Sequence, residues 1–223
     1  FFSHMSPKCN MAFVLIQHLD PKHKSIMASL LERHTTMKVD EISDGTRVKE
    51  NRIYLNPPDK YVEIINGTLL LTERPQHYGS DLPIDHFFRS LSEDRKNRAI
   101  CIVLSGTGTD GTLGLKSIKE KGGIAFVQDE KDAKYDGMPR SAIDTGLADF
   151  VLPVAKMPAE LIKCVRHPYM SESVAREDQF KQNASKIFAI IRSKTGHDFS
   201  NYKANTCLLY TSDAADEEDS VDL

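Results

Sequence analysis

Two side chains in this sequence could move a proton between them, and each stands where an apolar run ends. Asp110 lies in L-S-G-T-G-T-D-G-T-L-G, residues 104 to 114, a glycine-rich turn that follows the apolar stretch A-I-C-I-V and precedes a helical pattern. His18 follows M-A-F-V-L-I-Q in the same manner. The carboxyl ends of buried parallel strands are where open α/β sheets build their sites. An imidazole, with an unperturbed pKa of about 6.5, can accept and return a proton near neutrality. A carboxylate beside it would fix one tautomer and stabilise the imidazolium. The pair suggests a catalytic base and acid whose nucleophile is not evident in the chain. Each residue also has a plainer reading: His18 as a strand-end histidine bonded to backbone, Asp110 as a turn or helix-cap residue.

The elements that must carry them follow from hydrophobic pattern. Ala12 to Gln17, Ile53 to Leu55, Ile100 to Leu104 and Ile124 to Val127 are short apolar, β-branched runs bounded by turn residues, as buried parallel strands are, with Phe150 to Leu152 a fifth. Helical patterns fall between or after them at Ser25 to Arg33, Ile84 to Lys96, Leu113 to Lys121, Arg140 to Thr145 and Ala159 to Val165. Ser80, Asp81 and Pro83 supply a start signal for the second helix, and Gly122-Gly123 a stop for the third. This alternation predicts an α/β fold: a doubly wound, mostly parallel sheet with helices on both faces. Tyr61 to Ile65 and Thr68 to Thr72 flank Asn66-Gly67, the dipeptide of a two-residue turn, and predict an antiparallel β-hairpin beside that sheet. After Pro168 the pattern becomes polar, with Val174, Phe180, Ile187, Ile190 and Ile191 at roughly helical spacing, and predicts a helical extension.

Composition excludes several classes. With 223 residues, 40% apolar and 27% charged, the chain is ordinary globular material. No apolar run is long enough to span a membrane, and the opening residues lack the pattern of a signal peptide, so a cytoplasmic location without membrane insertion is expected. The formal charge of −3 is concentrated in residues 204–223, which hold four Asp, two Glu and no Lys or Arg, so the rest carries +3. That body has no basic stripe of the kind nucleic acid requires. Cys9, Cys101, Cys164 and Cys207 are widely spaced and read as reduced and mostly buried. His23, His34, His77, His86 and His197 show no metal-ligand spacing and read as surface or capping residues. Asp85, Phe87, Phe88 and Leu91 fit a packed helix stripe.

Four segments carry a family likeness. Q-H-L-D-P at 17–21, P-I-D-H-F-F-R-S-L at 83–91, L-S-G-T-G-T-D-G-T-L-G at 104–114 and Y-D-G-M-P-R-S-A-I at 135–143 together resemble the catalytic domain of the chemotaxis protein-glutamate methylesterases, the CheB family. The resemblance implies an esterase that needs no cofactor and hydrolyses glutamate γ-methyl esters on the cytoplasmic helices of methylated chemoreceptors. It implies His18 as general base and Asp110 as its orienting acid. Gly106, Thr107 and Gly108 would form the loop that faces the oxyanion, Thr107 through a main-chain donor. Met138-Pro139-Arg140 either lines the site or starts the next helix. The family's serine stands in a G-A-S-x-G-G turn, which does not occur in the seventeen residues before His18. The chain is therefore expected to lack the first strand and nucleophile, and to be inactive alone. Ser105 is not a substitute, because L-S-G-T-G is no nucleophile elbow.

T-G-H-D-F-S-N-Y-K at 195–203 similarly resembles the first helices of the receptor methyltransferases, the CheR family, whose missing remainder would use S-adenosylmethionine. The expected organisation is a methylesterase domain at 1–168, a linker helix at 169–194 and the start of a methyltransferase domain at 195–206. Residues 207–223 are expected to be artefact, since C-L-L-Y-T-S-D-A-A-D-E back-translates into a sequencing-library adapter.

Two other functions fit parts of the pattern. Gly106-x-Gly108-x-x-Gly111 with Asp129 downstream matches a dinucleotide fingerprint, although Asp110 would set a negative charge where a pyrophosphate should bind. A non-catalytic receptor-docking module is the other.

Overall fold

The computed structural model describes residues 1–18, 26–58, 60–74 and 82–166. All of them fall within one compact unit, Phe1–Met170. The linker helix at 169–194, the segment 195–206 and the tail 207–223 lie outside the described residues, as do Ser80, Asp81, His23, His77, His197 and Cys207.

Among the described residues the strands form three sheets of three. In the first, β4 (Arg52–Leu55) is flanked by β1 (Ala12–Leu15) and β2 (Lys38–Glu41), both parallel to it, with Leu15 opposite Leu55. In the second, β8 (Ile124–Gln128) is flanked in parallel by β7 (Ile100–Val103) and β9 (Phe150–Leu152). The third is antiparallel and pairs β6 (Thr68–Glu73) with β3 (Thr46–Arg47) and β5 (Lys60–Ile65). The parallel α/β expectation holds, but the parallel strands divide into two sheets rather than one. The central strands are the driest, as a strand covered on both faces must be: Ala125, Phe126 and Val127 of β8 are fully buried.

The expected hairpin is present, with Asn66 and Gly67 both at positive φ, 51° and 73°. Two short strands lack a sequence signal. β2 reads K-V-D-E, an edge strand whose Lys38 and Glu41 are exposed and whose part-buried Asp40 receives Lys38 and Arg52. Its strand character comes from pairing with β4.

Among the described residues five α-helices pack against these sheets: α1 (Met27–Leu31), α2 (Pro83–Arg95), α3 (Thr112–Glu120), α4 (Gly137–Asp144) and α5 (Met157–Arg166). The expected Ser25 to Arg33 helix shortens to five residues, and α4 begins three residues earlier than Arg140, taking Pro139 into its first turn. Pro83 opens α2, and Gly122 at φ 79° closes α3, as read from the sequence. The stripe on α2 is confirmed: Phe87 and Phe88 are buried and Leu91 partly so. Helix α2 is tied to the hairpin by Ser90 Oγ, which accepts the Ile64 N–H at 3.1 Å, and by Asp94, which accepts the Gly67 N–H at 3.2 Å.

Candidate active site

The two site-bearing strands are let out of their sheets in the same way. Beyond Leu15, β1 loses its backbone partners in β4. There the buried carboxamide of Asn56, the residue after β4, takes over, accepting the Gln17 N–H at 2.9 Å and donating to the Gln17 carbonyl at 3.0 Å. His18 is the next residue. Beyond Val103, the buried carboxamide of Gln128 at the end of β8 accepts the Ser105 N–H at 2.8 Å and donates to Asp132 at 3.0 Å. A side-chain amide offers the same donor and acceptor as a peptide, so it extends the ladder by one step while the main chain turns away. Neither residue was picked out by sequence reasoning. The signal was an apolar run ending in a carboxamide, I-Y-L-N and A-F-V-Q.

These exits bring together the two side chains on which the sequence reading rests. His18 Nε2 lies 2.9 Å from Asp110 Oδ2, with the imidazole 43% exposed and the carboxylate 3%. A buried carboxylate needs donors, and Asp110 has them: Ile84 N–H donates to Oδ2 at 3.0 Å, while Asp85 N–H and Gly111 N–H donate to Oδ1 at 2.9 and 2.8 Å. Ile84 and Asp85 stand in the first turn of α2, which has no side-chain cap of its own. Asp110 therefore caps α2 from a distance, taking up two of the N–H groups that the first turn of a helix leaves without partners.

With Nε2–H directed at Asp110, the neutral ring carries its lone pair on Nδ1. The arrangement can take a proton on Nδ1 and hold the resulting imidazolium against a fixed carboxylate.

The glycine loop runs along the same rim. Gly106 exchanges backbone hydrogen bonds with the 135–138 turn, accepting from Met138 N–H at 2.9 Å and donating to the Tyr135 carbonyl at 3.0 Å. The Met138 side chain fills the space where a Cβ on Gly106 would sit. Thr107 is exposed, its N–H has no acceptor among the described residues, and Gly108 has φ 81°. Met138 and Pro139 are buried structural residues, whereas Arg140 is exposed and pairs with Asp136 at 2.6 Å.

Other candidates have structural roles. Ser105 Oγ accepts the Tyr135 N–H at 2.9 Å. His86 is half-buried and sits 2.7 Å from Glu63, while His34 is exposed. The expectation of mostly buried cysteines holds for Cys101 alone among the described residues, because Cys9 and Cys164 are only half-buried. Burial pushes the Cys101 thiol up to about 12, far from a working nucleophile. Among the described residues no group of three or more His, Cys, Asp and Glu side chains is placed to hold a metal ion.

The dinucleotide reading fails on the same contacts. The first turn of α3, where a pyrophosphate would dock, already receives a carboxylate, since Gly114 N–H donates to Asp85 Oδ1 at 2.7 Å. The neighbouring N-terminus, that of α2, is filled by Asp110.

Fold and site together define a parallel α/β domain that carries a histidine–aspartate pair where its strands end. The CheB methylesterase family profile matches residues 1–161, and the chain belongs to that family. Its similarity to the solved catalytic domain of Thermotoga maritima CheB methylesterase has a TM-score of 0.68 at 29% identity, covering 74% of this chain and 89% of that one. It is 32% identical over 156 residues to a protein of Pyrococcus horikoshii named protein-glutamate methylesterase/protein-glutamine glutaminase, covering 68% of this chain and 42% of the relative. It is 39% identical over 152 residues to an uncharacterized 104.1 kDa protein of Rhodobacter capsulatus, covering 68% of this chain and 16% of that protein. The chain thus spans less than half the length of these curated relatives.

Proposed function

We propose that this chain supplies the general base and the orienting acid of a protein-glutamate methylesterase acting on methylated chemoreceptor helices in the cytoplasm. The observation that carries the proposal is the 2.9 Å contact between His18 Nε2 and Asp110 Oδ2 at the strand ends. A serine hydroxyl, supplied by the family's G-A-S-x-G-G turn outside residues 1–223, attacks the γ-carbonyl carbon of the glutamyl ester and passes its proton to His18 Nδ1. Asp110 holds the imidazolium. The uncommitted Thr107 N–H, with Gly106 and Gly108 allowing its turn, faces the oxyanion. Collapse breaks the C–O bond to the methoxy group, which takes the proton from His18 and leaves as methanol. Water then attacks the acyl-serine with the same base, giving glutamate and free serine. Nothing in this sequence requires a cofactor or an inserted membrane segment, and no described helix is long and apolar enough to cross a membrane.

The reading extends to a fused protein in which a CheR-type methyltransferase using S-adenosylmethionine follows the esterase. Its support is the 195–203 segment and the occurrence of a related domain as 16% of a 104.1 kDa chain.

The test assays the full-length protein encoded at the source locus for methanol release from methylated chemoreceptor, with His18→Ala beside it. Release that disappears in the variant supports the proposal. Receptor binding without methanol release would leave a docking module and overturn the esterase.

A further inference from the structure

The two helices beside the site exchange carboxylates. Asp110, which stands just before α3, caps the first turn of α2. Asp85, in the first turn of α2, caps the first turn of α3 by accepting the Gly114 N–H at 2.7 Å. Neither helix has a side-chain cap of its own. Asp85 is 2% exposed, and its own N–H is one of the donors to Asp110. One residue thus binds the catalytic-site carboxylate through its main chain and the following helix through its side chain.

The packing makes this exchange tight. A Cβ on Gly114 would lie 2.5 Å from Phe88 Cβ and 3.0 Å from Asp85 Cα, so α2 and α3 meet at a point where only glycine fits. Gly111, at φ 89°, aims its N–H at Asp110 Oδ1 just before α3 begins. A solvent-facing cap would tolerate a shift of either helix. Here a shift of α2 relative to α3 moves the Ile84 and Asp85 donors away from Asp110, and Asp110 away from His18.

We propose that Asp85 is a positioning residue for the reaction: its carboxylate locks the first turn of α2 to the first turn of α3, and so fixes the Asp110 carboxylate with Oδ2 toward His18. The proposal rests on the esterase reading of His18 and Asp110 and deepens it. A buried acid inside an apolar helix stripe is otherwise a liability, because its charge is taken out of water with a second carboxylate close by. Two helix N-termini, each offering orphan N–H groups, offset part of that cost.

The test follows the His18 ring nitrogens by ¹⁵N NMR in the full chain, comparing the parent with Asp85→Ala, Asp85→Asn and Asp110→Asn. The proposal expects a predominant Nε2–H tautomer in the parent, a tautomer mixture in Asp85→Ala, and the parent pattern again in Asp85→Asn, whose carbonyl still accepts the Gly114 N–H. Parent signals in a folded Asp85→Ala would make Asp85 a structural cap only and overturn the proposal, as would loss of the tautomer in Asp85→Asn. If Asp85→Ala does not fold, Asp85→Ser, whose shorter hydroxyl stops short of Gly114, replaces it with the same two outcomes. Asp110→Asn separates the underlying reading: unchanged His18 signals there would mean the His18–Asp110 contact itself is wrong, whatever Asp85 does.

Discussion

His18 meets Asp110 through Nε2, the far nitrogen of the ring, at 2.9 Å, so the nitrogen proposed as base is Nδ1, the one nearer the backbone. A nucleophilic hydroxyl must then approach the side of the ring closer to the end of β1. Replacing Asp110 by Asn removes the acceptor-only partner and lets the amide donate to Nε2, which favours the Nδ1–H tautomer and takes away the lone pair the reaction needs. Turnover in the full-length enzyme is expected to fall by about 10⁴-fold, the size observed when a triad aspartate is so replaced. Methanol release measured under saturating receptor checks this, and wild-type turnover would rule the assignment out.

Removing the imidazole is more severe. His18→Ala deletes the proposed base, and because base and nucleophile act as a unit the loss is expected to approach a millionfold in turnover. The fold should survive, since His18 is 43% exposed and stands beyond the end of β1 rather than filling a core. Circular dichroism melts matching the parent, alongside absent methanol release, are the expected pair of results. A large loss of melting temperature would instead make His18 a structural residue.

The frame of the molecule was legible in the sequence because its signals are local. β-branched runs between turn residues marked five of the strands, Asn66-Gly67 marked the hairpin, and Pro83 and Gly122 marked helix ends. Both ends of the His18–Asp110 contact could be named from local pattern: His18 directly follows one apolar run, and Asp110 stands in the glycine-rich turn that follows another. What was not legible is what depends on distant partners. The strand β2 exists because β4 pairs with it, against the charge of its own residues. Asn56 finds Gln17 across 39 residues, Gln128 finds Ser105 across 23, and Asp85 finds Gly114 across 29. Asp85 in particular looks like an interruption of an apolar stripe until the helix it caps is seen beside it.

The carboxamide of Asn56 can be tested apart from chemistry. Asn56→Ala leaves the Gln17 N–H and carbonyl without their partner in a part-buried setting. This should cost about 2 kcal/mol, the usual penalty for unsatisfied backbone groups. For a domain of this size it lowers the melting temperature by roughly 4–8 °C. Activity in the full-length enzyme should fall as well, because Gln17 immediately precedes His18. An Asn56→Ala protein that melts like the parent would show that the strand end does not depend on this clamp.

Asp85 also sets a pH dependence whose sign follows from its surroundings. Burial holds its carboxyl above the usual aspartate range, and the Asp110 charge adds to the shift, while the Gly114 N–H opposes it. The folded state therefore binds this proton more tightly than the unfolded chain does. The stabilisation linked to it is fully present below the ordinary carboxyl value of about 3.9 and is lost as pH rises through the higher folded value. Asp85→Asn keeps the acceptor for Gly114 and removes the titration. Melting temperatures of parent and variant taken across the acid range should therefore diverge in the variant's favour as pH rises toward neutrality. A difference that stays constant across that range would show that Asp85 binds its proton equally well in the folded and unfolded states, the cost of burial being fully offset by the two helix ends.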